Sequence, residues 1–307
     1  KAERRYKREG KKYVDTDNPR LSQFNGVTLT WHRPYEHSPQ NDWRLFRGKP
    51  QPADVEQGHV EDCWLLAALA AVAGHVGGQL VEALFLRHGK LELSPAGATM
   101  VRLCLPGSPT GDCANPLDPF SGHWAKPRDK LSDNGRRIIV PGAWRLILVD
   151  DYLPFVESQQ LAYCRSSRYV VWASLVEKAL AKVYGSYEAL RGGRLKFALF
   201  ILTGGETESM YVSQWNSDDL CRRLMHADKK GYLMIACTVM AEDKLCPLRP
   251  NHAYSLLSFA AGRDCRRSDI GEVMLRDPFG KVHRMPWVEL RTRLYQIEIC
   301  KVSRRCK

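Results

Sequence analysis

The sequence predicts an α+β protein whose first half is rich in helix, whose second half is rich in strand, and whose halves enclose a cleft. Two helical runs lie in the first half: CWLLAALAAVAGH, which begins at Cys63, and VWASLVEKALAKVYGSYEAL, which covers residues 171–190. The first run is apolar on every face, which is typical of a helix buried in the core. Past residue 204 the β-like runs are GYLMIACTVM, HAYSLLSFAA, EVMLRDPF and YQIEICKV.

The other segments complete this layout. Residues 1–12 form a polar lead, and residues 13–51 are rich in Pro, Asn, Asp and aromatic residues, which favours extended, loop-heavy structure. Between residues 91 and 154 the runs MVRLCL and WRLILVDDYLP predict short strands. Paired glycines at 204–205 indicate the joint between the halves. We therefore expect a basic lead and extended arm at 1–31, a first domain at 32–204, a second domain at 205–303 and a basic tail at 304–307.

The positive charge of the chain is concentrated at its ends. The 307 residues carry a net charge of +12. Residues 1–12 hold seven Lys or Arg and two Glu, a net +5, and the last seven residues hold four basic side chains and no acid, which leaves +3 for everything between. Since no basic stripe interleaved with aromatic residues is visible, we expect no nucleic-acid binding. The ends suit an acidic partner or a filament surface.

The apolar runs and the cysteines predict a soluble protein with reduced thiols. The longest strongly apolar run, residues 64–73, is about half as long as a bilayer crossing requires, and no signal peptide is visible, so we expect no membrane span. The ten cysteines include no CxxC pair. We therefore expect a cytoplasmic protein without a zinc site.

Cys63 is a candidate nucleophile because the strongest helix of the sequence begins there. The thiolate is the reactive form of cysteine, and the dipole and free N–H groups of a helix N-terminus stabilise it. Gln57, six residues upstream on the irregular segment QGHVED, could donate its side-chain amide to an oxyanion, with the backbone N–H of Cys63 as a second donor. Taken alone, the same cysteine is also compatible with a small apolar core residue.

Two later residues complete a possible catalytic set. His252 opens the run HAYSLL, and Asp277 follows EVMLR and precedes Pro-Phe-Gly. Taken singly, a histidine beside apolar residues is usually structural, and an acid at a strand end is usually part of a turn. Together with Cys63 they supply a nucleophile, a base and a residue that orients the base.

Several segments resemble one protein family. The stretch QGHVEDCWLLAALA closely resembles the nucleophile segment of calpains, papain-like cysteine proteases that are usually regulated by calcium. The runs WRLILVDDYLP, VWASLVEKALAKVYGSYEAL with its following Gly-Gly, HAYSLL, RDPFG and QIEICKV resemble further calpain segments in the same order. The segments WHRP and WRLFR fit the family's lead-in. The resemblance spans roughly residues 13–303.

This resemblance implies a two-domain papain-like core with the substrate lying between the domains. Gln57 and Cys63 would belong to the first domain, and His252 and Asp277 to the second. It implies that the Cys63 thiolate attacks the amide carbonyl, that Gln57 helps to hold the oxyanion, and that His252 protonates the leaving amine while Asp277 orients its ring. The implied substrate cleft includes Glu61, Gly192, Gly193, Asn251 and Phe279.

Four residues at the implied site depart from the calpain pattern. Asp277 replaces an asparagine, and a carboxylate favours the imidazolium more strongly than an amide does. Phe279 replaces a tryptophan that shields the catalytic pair from water. Glu61 and Asn251 stand where calpains have glycine. If those glycines serve a positive φ, asparagine is a tolerable replacement and glutamate a poor one.

The resemblance also implies two calcium sites, and both lack acidic ligands. Ca²⁺ takes about six to eight oxygen ligands, several of them from carboxylates. In the first domain Asp54 matches one ligand, but Val170 stands where a second acid is expected. In the second domain the segment KVHRMP contains no acid and includes Lys281 and Arg284. We therefore expect no metal and no calcium switch, with the domains either permanently aligned or aligned by a partner.

Three functions agree with these residues. The first is an intracellular endopeptidase that acts on protein substrates. The second is a structural or interaction module with the calpain fold and little or no catalysis, for which the substitutions around the site and the basic ends argue. The third is a transglutaminase-like acyl transferase, which also uses Cys-Trp, His and Asp in that order. The long separation of Cys63 from His252 and the calpain-like segments argue against the third.

Overall fold

The first half of the chain consists of short strands, paired in twos, around helices. The computed structural model describes residues 11–17, 20–86, 92–106, 142–157, 160–241, 246–262 and 270–302, so most of the predicted basic lead and the tail at 304–307 lie outside the described residues. The elements of the first half are β1 (Gln23–Phe24), β2 (Val27–Thr28), β3 (Thr30–His32), α1 (Pro34–His37), α2 (Cys63–Gly74), α3 (Gln79–Glu82), β4 (Ala98–Pro106), β5 (Gly142–Asp150), β6 (Leu153–Phe155), α4 (Trp172–Tyr184) and α5 (Leu195–Thr203).

Helix α2 is the buried helix that the sequence predicts. Its alanines and leucines are strong helix formers, and every residue from Trp64 to Ala73 is buried. The helix ends at Gly74, within the predicted limits, and His75 is already extended. It packs against α5 on the side of the first half. Ser255 Oγ, from the second half, donates to the Ala67 carbonyl at 2.7 Å, so α2 is shared by both halves.

The second predicted helix is shorter than its sequence pattern. We expected it to cover residues 171–190, but α4 ends at Tyr184. Gly185 takes a left-handed conformation with φ of 89°, which satisfies a carbonyl at the helix end and turns the chain away. A separate short 3-10 turn follows at Glu188–Leu190. The glycine therefore outweighs the good helix formers on its C-terminal side.

The second half is built on one antiparallel sheet of six strands. The elements of this half are β7 (Glu206–Tyr211), α6 (Ser217–Lys230), β8 (Leu233–Thr238), β9 (Ala253–Ala261), β10 (Ile270–Arg276), β11 (Val282–Pro286), α7 (Trp287–Arg293) and β12 (Leu294–Lys301). The order of the strands in the sheet is β11-β10-β9-β8-β12-β7. The runs predicted as strands become β8, β9, β10 and β12. The protein is therefore α+β, as predicted.

Helix α6 was missed by the sequence analysis, although its ends carry clear signals. The Asn216 side chain caps its first turn by accepting from the Asp219 N–H at 2.8 Å. Gly231 ends the helix in a left-handed conformation. Leu220, Leu224 and Ala227 recur on one buried face of an otherwise polar run.

The buried apolar residues of the described ranges form two clusters. The first cluster surrounds α2 and also contains Leu233, Ile235 and Ala253 from the sheet, whereas the second cluster lies on the other face of the sheet. Strand β8 contributes to both clusters because successive side chains of a strand point to opposite faces of the sheet. Its residues 233 and 235 join the first cluster, and Met234 and Ala236 join the second.

The predicted domain limits stay predictions. The joint placed at 204–205 falls between α5 and β7, and the limit at 31/32 falls inside β3. Among the described residues, one helical stretch, Cys63–Glu82, is long and apolar enough to cross a membrane by length and composition. Since 67% of its most apolar window is buried inside the protein, the stretch has the properties of a core helix.

Candidate active site

The candidate nucleophile lies at the first residue of α2. Cys63 is partly exposed, while its neighbours Asp62 and Trp64 are buried. Asp62 caps the helix through its backbone, since its carbonyl accepts from the Leu65 N–H at 2.8 Å. The first N–H groups of a helix have no partner within the helix, and its dipole favours an anion there. The fold thus places the Cys63 sulfur at a helix N-terminus.

His252 is fixed just before strand β9 by the neighbouring strand. Its N–H donates to Thr238 Oγ1 at 3.0 Å, and its carbonyl accepts from the Thr238 N–H at 3.0 Å. The side chain is only 10% exposed. The ring hydrogen-bonds to Asp277, where Nε2 lies 3.2 Å from Oδ1, and Cys63 lies close enough to the ring to raise its pKa.

Asp277 lies at the turn that follows strand β10. Its Oδ1 accepts from the Phe279 N–H at 2.8 Å as well as from His252. The turn therefore fixes the carboxylate in contact with the imidazole ring. Burial raises the pKa of Asp277, but its hydrogen bonds to His252 and to the Phe279 N–H outweigh this effect and lower the pKa. The carboxyl group is therefore charged and oriented at neutral pH.

Two neighbours decide the protonation of His252. Burial alone would lower the pKa of this imidazole, but its interactions with Asp277 and Cys63 outweigh burial and raise the pKa to about 9. An imidazole with this pKa is protonated at neutral pH. The arrangement therefore favours an imidazolium beside the Asp277 carboxylate.

Phe279 covers the outer face of the histidine. The two rings are stacked, with centroids 5.7 Å apart and an interplanar angle of 17°. The Arg249 guanidinium lies over the same phenylalanine ring, 4.2 Å from its centroid. A histidine, a phenylalanine and an arginine thus form a stack beside the His252–Asp277 hydrogen bond. This arrangement limits the access of water to that bond.

The amide of Gln57 is buried, and one of its hydrogens is already engaged. Gln57 is 4% exposed, and its Nε2 donates to the Val60 carbonyl at 2.8 Å. Its Oε1 is buried without a hydrogen-bond partner. Its backbone N–H donates to the Pro278 carbonyl at 2.9 Å, which ties it to the turn that carries Asp277. The predicted oxyanion role of Gln57 stays a prediction, and it would use the second hydrogen of the amide.

The predicted cleft residues lie on two sides of Cys63. The Gly192 N–H donates to the Glu61 carbonyl at 3.0 Å, and the Glu61 carboxylate pairs with Arg191 at 3.2 Å on the surface. A Cβ atom on Gly193 would lie 2.3 Å from the Trp64 indole, so only glycine fits there. Asn251, before the histidine, has a φ of 45°, whereas Glu61 has an ordinary φ. Glycine-like geometry is therefore needed at position 251 and not at position 61.

Arg276 is a site residue that the sequence analysis missed. It is 4% exposed and precedes Asp277, and its Nη2 donates to the Val55 carbonyl at 2.5 Å. This contact joins the second half to the loop that leads to Cys63. A charged side chain at the end of the apolar run EVMLR was the signal that could have identified it.

Asp54, the acid that matches one calcium ligand, is surrounded by donors. Its Oδ2 accepts from Trp172 Nε1 and from the Gln51 N–H, both at 3.0 Å, and its Oδ1 accepts from Arg168 Nη1 at 2.5 Å. Across the described ranges, no group of three His, Cys, Asp or Glu side chains could hold a metal ion. Donor hydrogens point at the oxygens that a cation would need, so these residues do not fit Ca²⁺.

A buried pair of acids lies behind the nucleophile. Asp62 and Glu177 are 0% and 1% exposed. The Asp62 carboxyl faces the Glu177 carboxyl, and Glu177 accepts from the Cys164 N–H at 3.1 Å. Two carboxyls can hydrogen-bond only when one carries a proton. Burial, only partly offset by hydrogen bonds, raises the pKa of Asp62 to about 7, and burial together with Asp62 raises that of Glu177.

We expect this pair to make the protein less stable as the pH rises. The folded pKa of Asp62 lies above its unfolded value, so the stabilising proton is fully present below about pH 4 and is lost as the pH rises through about 7. Urea unfolding at several pH values between about pH 5 and pH 8 measures the slope of the free energy of unfolding against pH. In Asp62→Asn the slope should be smaller, and in the exposed control Glu289→Gln it should be unchanged. An equal slope in all three proteins would contradict the shared proton.

Known proteins resemble this chain over most of its length. The sequence model of the calpain family cysteine proteases matches residues 12–110 and 136–293. The chain is 29% identical over 259 residues to calpain-type cysteine protease DEK1 of Arabidopsis thaliana, covering 80% of this chain and 10% of that protein. It is 29% identical over 282 residues to calpain-5 of Mus musculus (87% of this chain, 37% of that protein) and 30% identical over 259 residues to calpain-14 of Homo sapiens (83% and 31%). It thus spans between 10% and 37% of the length of these relatives. The chain belongs to the calpain family of cysteine proteases.

Proposed function

We propose that this chain is the catalytic core of a cysteine endopeptidase that cleaves protein substrates without a calcium switch. The observation that carries the proposal is the position of His252, which hydrogen-bonds to Asp277 and lies close enough to Cys63 for that residue to raise its pKa. Nucleophile, base and orienting acid come from three separate parts of the sequence. Their convergence in one row, at the N-terminus of a buried helix, is what nucleophilic catalysis requires.

The proposed reaction follows from the protons in this row. The Cys63 thiolate attacks the carbonyl carbon of the substrate, a C–S bond forms, and the His252 imidazolium gives its proton to the departing amine as the C–N bond breaks. Water then attacks the thioester, His252 takes a proton from that water, and the acid product leaves. Asp277 keeps the ring in place through Nε2 in both steps. The backbone N–H of Cys63 and the Gln57 amide are the proposed oxyanion donors.

We place the substrate between the two halves, with residues 32–204 as the first domain and residues 205–303 as the second. Glu61, Gly192 and Gly193 form one wall of the proposed cleft, and Asn251 and Phe279 form the other. The contacts of Arg276 with Val55 and of Gln57 with Pro278 support this plan, since they hold the two walls at a fixed spacing. Papain-like clefts read mainly extended backbone, so the substrate class is an unfolded or flexible protein segment.

We propose a cytoplasmic location for this activity. Seven cysteines of the described ranges are unpaired thiols, as a reducing compartment would keep them. Burial raises the pKa of Cys104, Cys164, Cys237 and Cys300, which makes them poor nucleophiles. Cys63 has a different setting, with a helix N-terminus and a histidine beside a partly exposed sulfur.

A peptide probe with an electrophilic group, followed by peptide mapping, tests the proposal. We expect one equivalent of probe on Cys63 and release of fragments from casein by the unlabelled protein, with and without a calcium chelator. Probe on another cysteine would contradict the assignment of Cys63. Activity that disappears on chelation would contradict the proposed independence from calcium.

A second candidate function is an interaction module with the same fold and weak catalysis. It is favoured by the Gln57 amide, which donates to Val60, and by the Glu61–Arg191 ion pair at the cleft. In that case the basic ends would bind an acidic or filament partner. The module reading predicts that Cys63 reacts with the probe no faster than free cysteine does, and the protease reading predicts a reaction that is faster by orders of magnitude.

A further inference from the structure

The guanidinium group of Arg168 is surrounded by oxygen atoms of the loop that precedes Cys63. Arg168 donates through Nη1 to Asp54 Oδ1 at 2.5 Å and through Nη2 to the Arg47 carbonyl. The orientation that satisfies the Gln51 amide places its oxygen 3.0 Å from Arg168 Nε. In return, Arg47 Nε donates to the Arg168 carbonyl at 3.1 Å. A carboxylate, a carbonyl and an amide oxygen therefore surround one positive charge.

The Asp54 carboxylate needs a positive partner at this place. Its side chain is 2% exposed, and a buried carboxylate without a counter-charge strongly destabilises a folded protein. The N–H groups of Trp172 and Gln51 satisfy Oδ2 but bring no full charge. The guanidinium, with a side chain 26% exposed, is the only full positive charge that contacts Asp54 in the described part of the chain.

The charged pair lies at one end of a short path to the catalytic residues. Asp54 closes the 3-10 turn at Pro52–Asp54, which packs on α2, the helix that begins with the nucleophile. The next residue, Val55, accepts from Arg276, whose successor in the chain is Asp277. Two residues further, Gln57 donates to Pro278. The loop that Arg168 contacts therefore packs on the helix that begins with Cys63 and also binds the turn that carries Asp277.

We propose that Arg168 is a resident cation: its guanidinium takes the place of a bound metal ion and positions the loop at 47–57, which keeps Cys63 in register with His252 and Asp277. The effect on catalysis rests on the proposed function, whereas the effect on loop and stability does not. Arg168 acts through the loop, and so it is a positioning residue. Arginine suits this role because its planar group reaches two oxygens at once.

Replacement of Arg168 in the full chain tests the proposal, with Arg165→Ala as the matched control. Arg165 lies on the same segment, pairs with the more exposed Glu56 at 2.8 Å and has a side chain 33% exposed. We expect Arg168→Ala to lower the Tm by about 5 °C or more and to slow probe capture by Cys63 at least tenfold, whereas the control changes little. Adding Asp54→Asn to Arg168→Ala should restore part of the lost Tm, because no uncompensated carboxylate remains.

Replacement cations separate a positioning role from a merely structural one. We expect methylguanidinium to restore probe capture in Arg168→Ala and to leave the unaltered protein and Arg165→Ala unchanged. Ca²⁺ and chelator should leave the Tm of the unaltered protein unchanged. A rise in that Tm with Ca²⁺, or Arg168→Ala behaving like its control, would overturn the proposal. If the unaltered protein fails to capture the probe, the proposed function fails, and the Tm measurements still decide the role of Arg168.

Discussion

Cys63→Ala is expected to lower kcat/KM for peptide hydrolysis by about 10⁴-fold or more, because the proposed reaction has no other nucleophile. The oxyanion donors and the bound substrate remain, so the loss measures the covalent step alone. Cys63 is partly exposed, and we expect no large change in the Tm. A fluorogenic peptide assay and a thermal melt give the two values.

Cys246→Ala is the matched control for this experiment. Cys246 is also a partly exposed thiol, and it lies outside the catalytic row. We expect its replacement to leave kcat/KM within about twofold of the unaltered value. Comparable losses in both variants, or full activity in Cys63→Ala, would contradict the nucleophile assignment.

Two replacements of Asp277 are expected to differ sharply. In Asp277→Ala the His252 ring loses its acceptor and the charge that stabilises the imidazolium, and we expect kcat/KM to fall by about 100-fold. In Asp277→Asn the amide oxygen can still accept from Nε2, so activity should be retained or improved. Equal losses in both would show that the carboxylate charge, and not the orientation of the ring, is essential.

The pH dependence of the same variants adds an independent measurement. His252 has a raised pKa of about 9, so its imidazolium is present below that value and is lost as the pH rises through it. We expect kcat/KM to decline above about pH 9 in the unaltered protein. In Asp277→Asn the decline should begin at a lower pH, because the neighbouring negative charge is gone. If kcat/KM of that variant declines at the same high pH as in the unaltered protein, the decline does not depend on the His252–Asp277 pair.

Local patterns in the sequence predict the scaffold of the site. The apolar run after Cys63 specifies a buried helix through its own composition, and runs such as YQIEICKV specify strands through β-branched and aromatic residues. The shorter α4 shows the limit of this reasoning, since Gly185 ends a helix that the following residues would have continued. Helix α6 shows a second limit, because most of its residues are polar and only a narrow face is apolar.

Contacts between distant residues could not be predicted in this way. Arg168 and Asp54 are 114 positions apart, and Arg276 and Val55 are 221 positions apart. Arg168 has no acidic neighbour in sequence that would indicate its partner, and the acid beside Arg276, Asp277, does not indicate the contact with Val55. Such pairs depend on which loops the fold brings together, and a single sequence carries no record of that choice. The catalytic residues themselves were proposed through a resemblance, and their local patterns were weak.

The sharing of α2 between the two halves has a consequence for cooperativity. Leu233, Ile235 and Ala253 belong to strands of the second half, yet they are buried in the cluster around that helix. Burying a leucine or isoleucine side chain stabilises a protein by about 1.5–3 kcal/mol, so neither half is complete without the other. The proposed cleft would therefore be a groove on a continuous interior, and local fluctuations that open it must leave α2 covered. Urea should accordingly melt both halves in one transition, with no populated species in which only the sheet or only the helical half is folded.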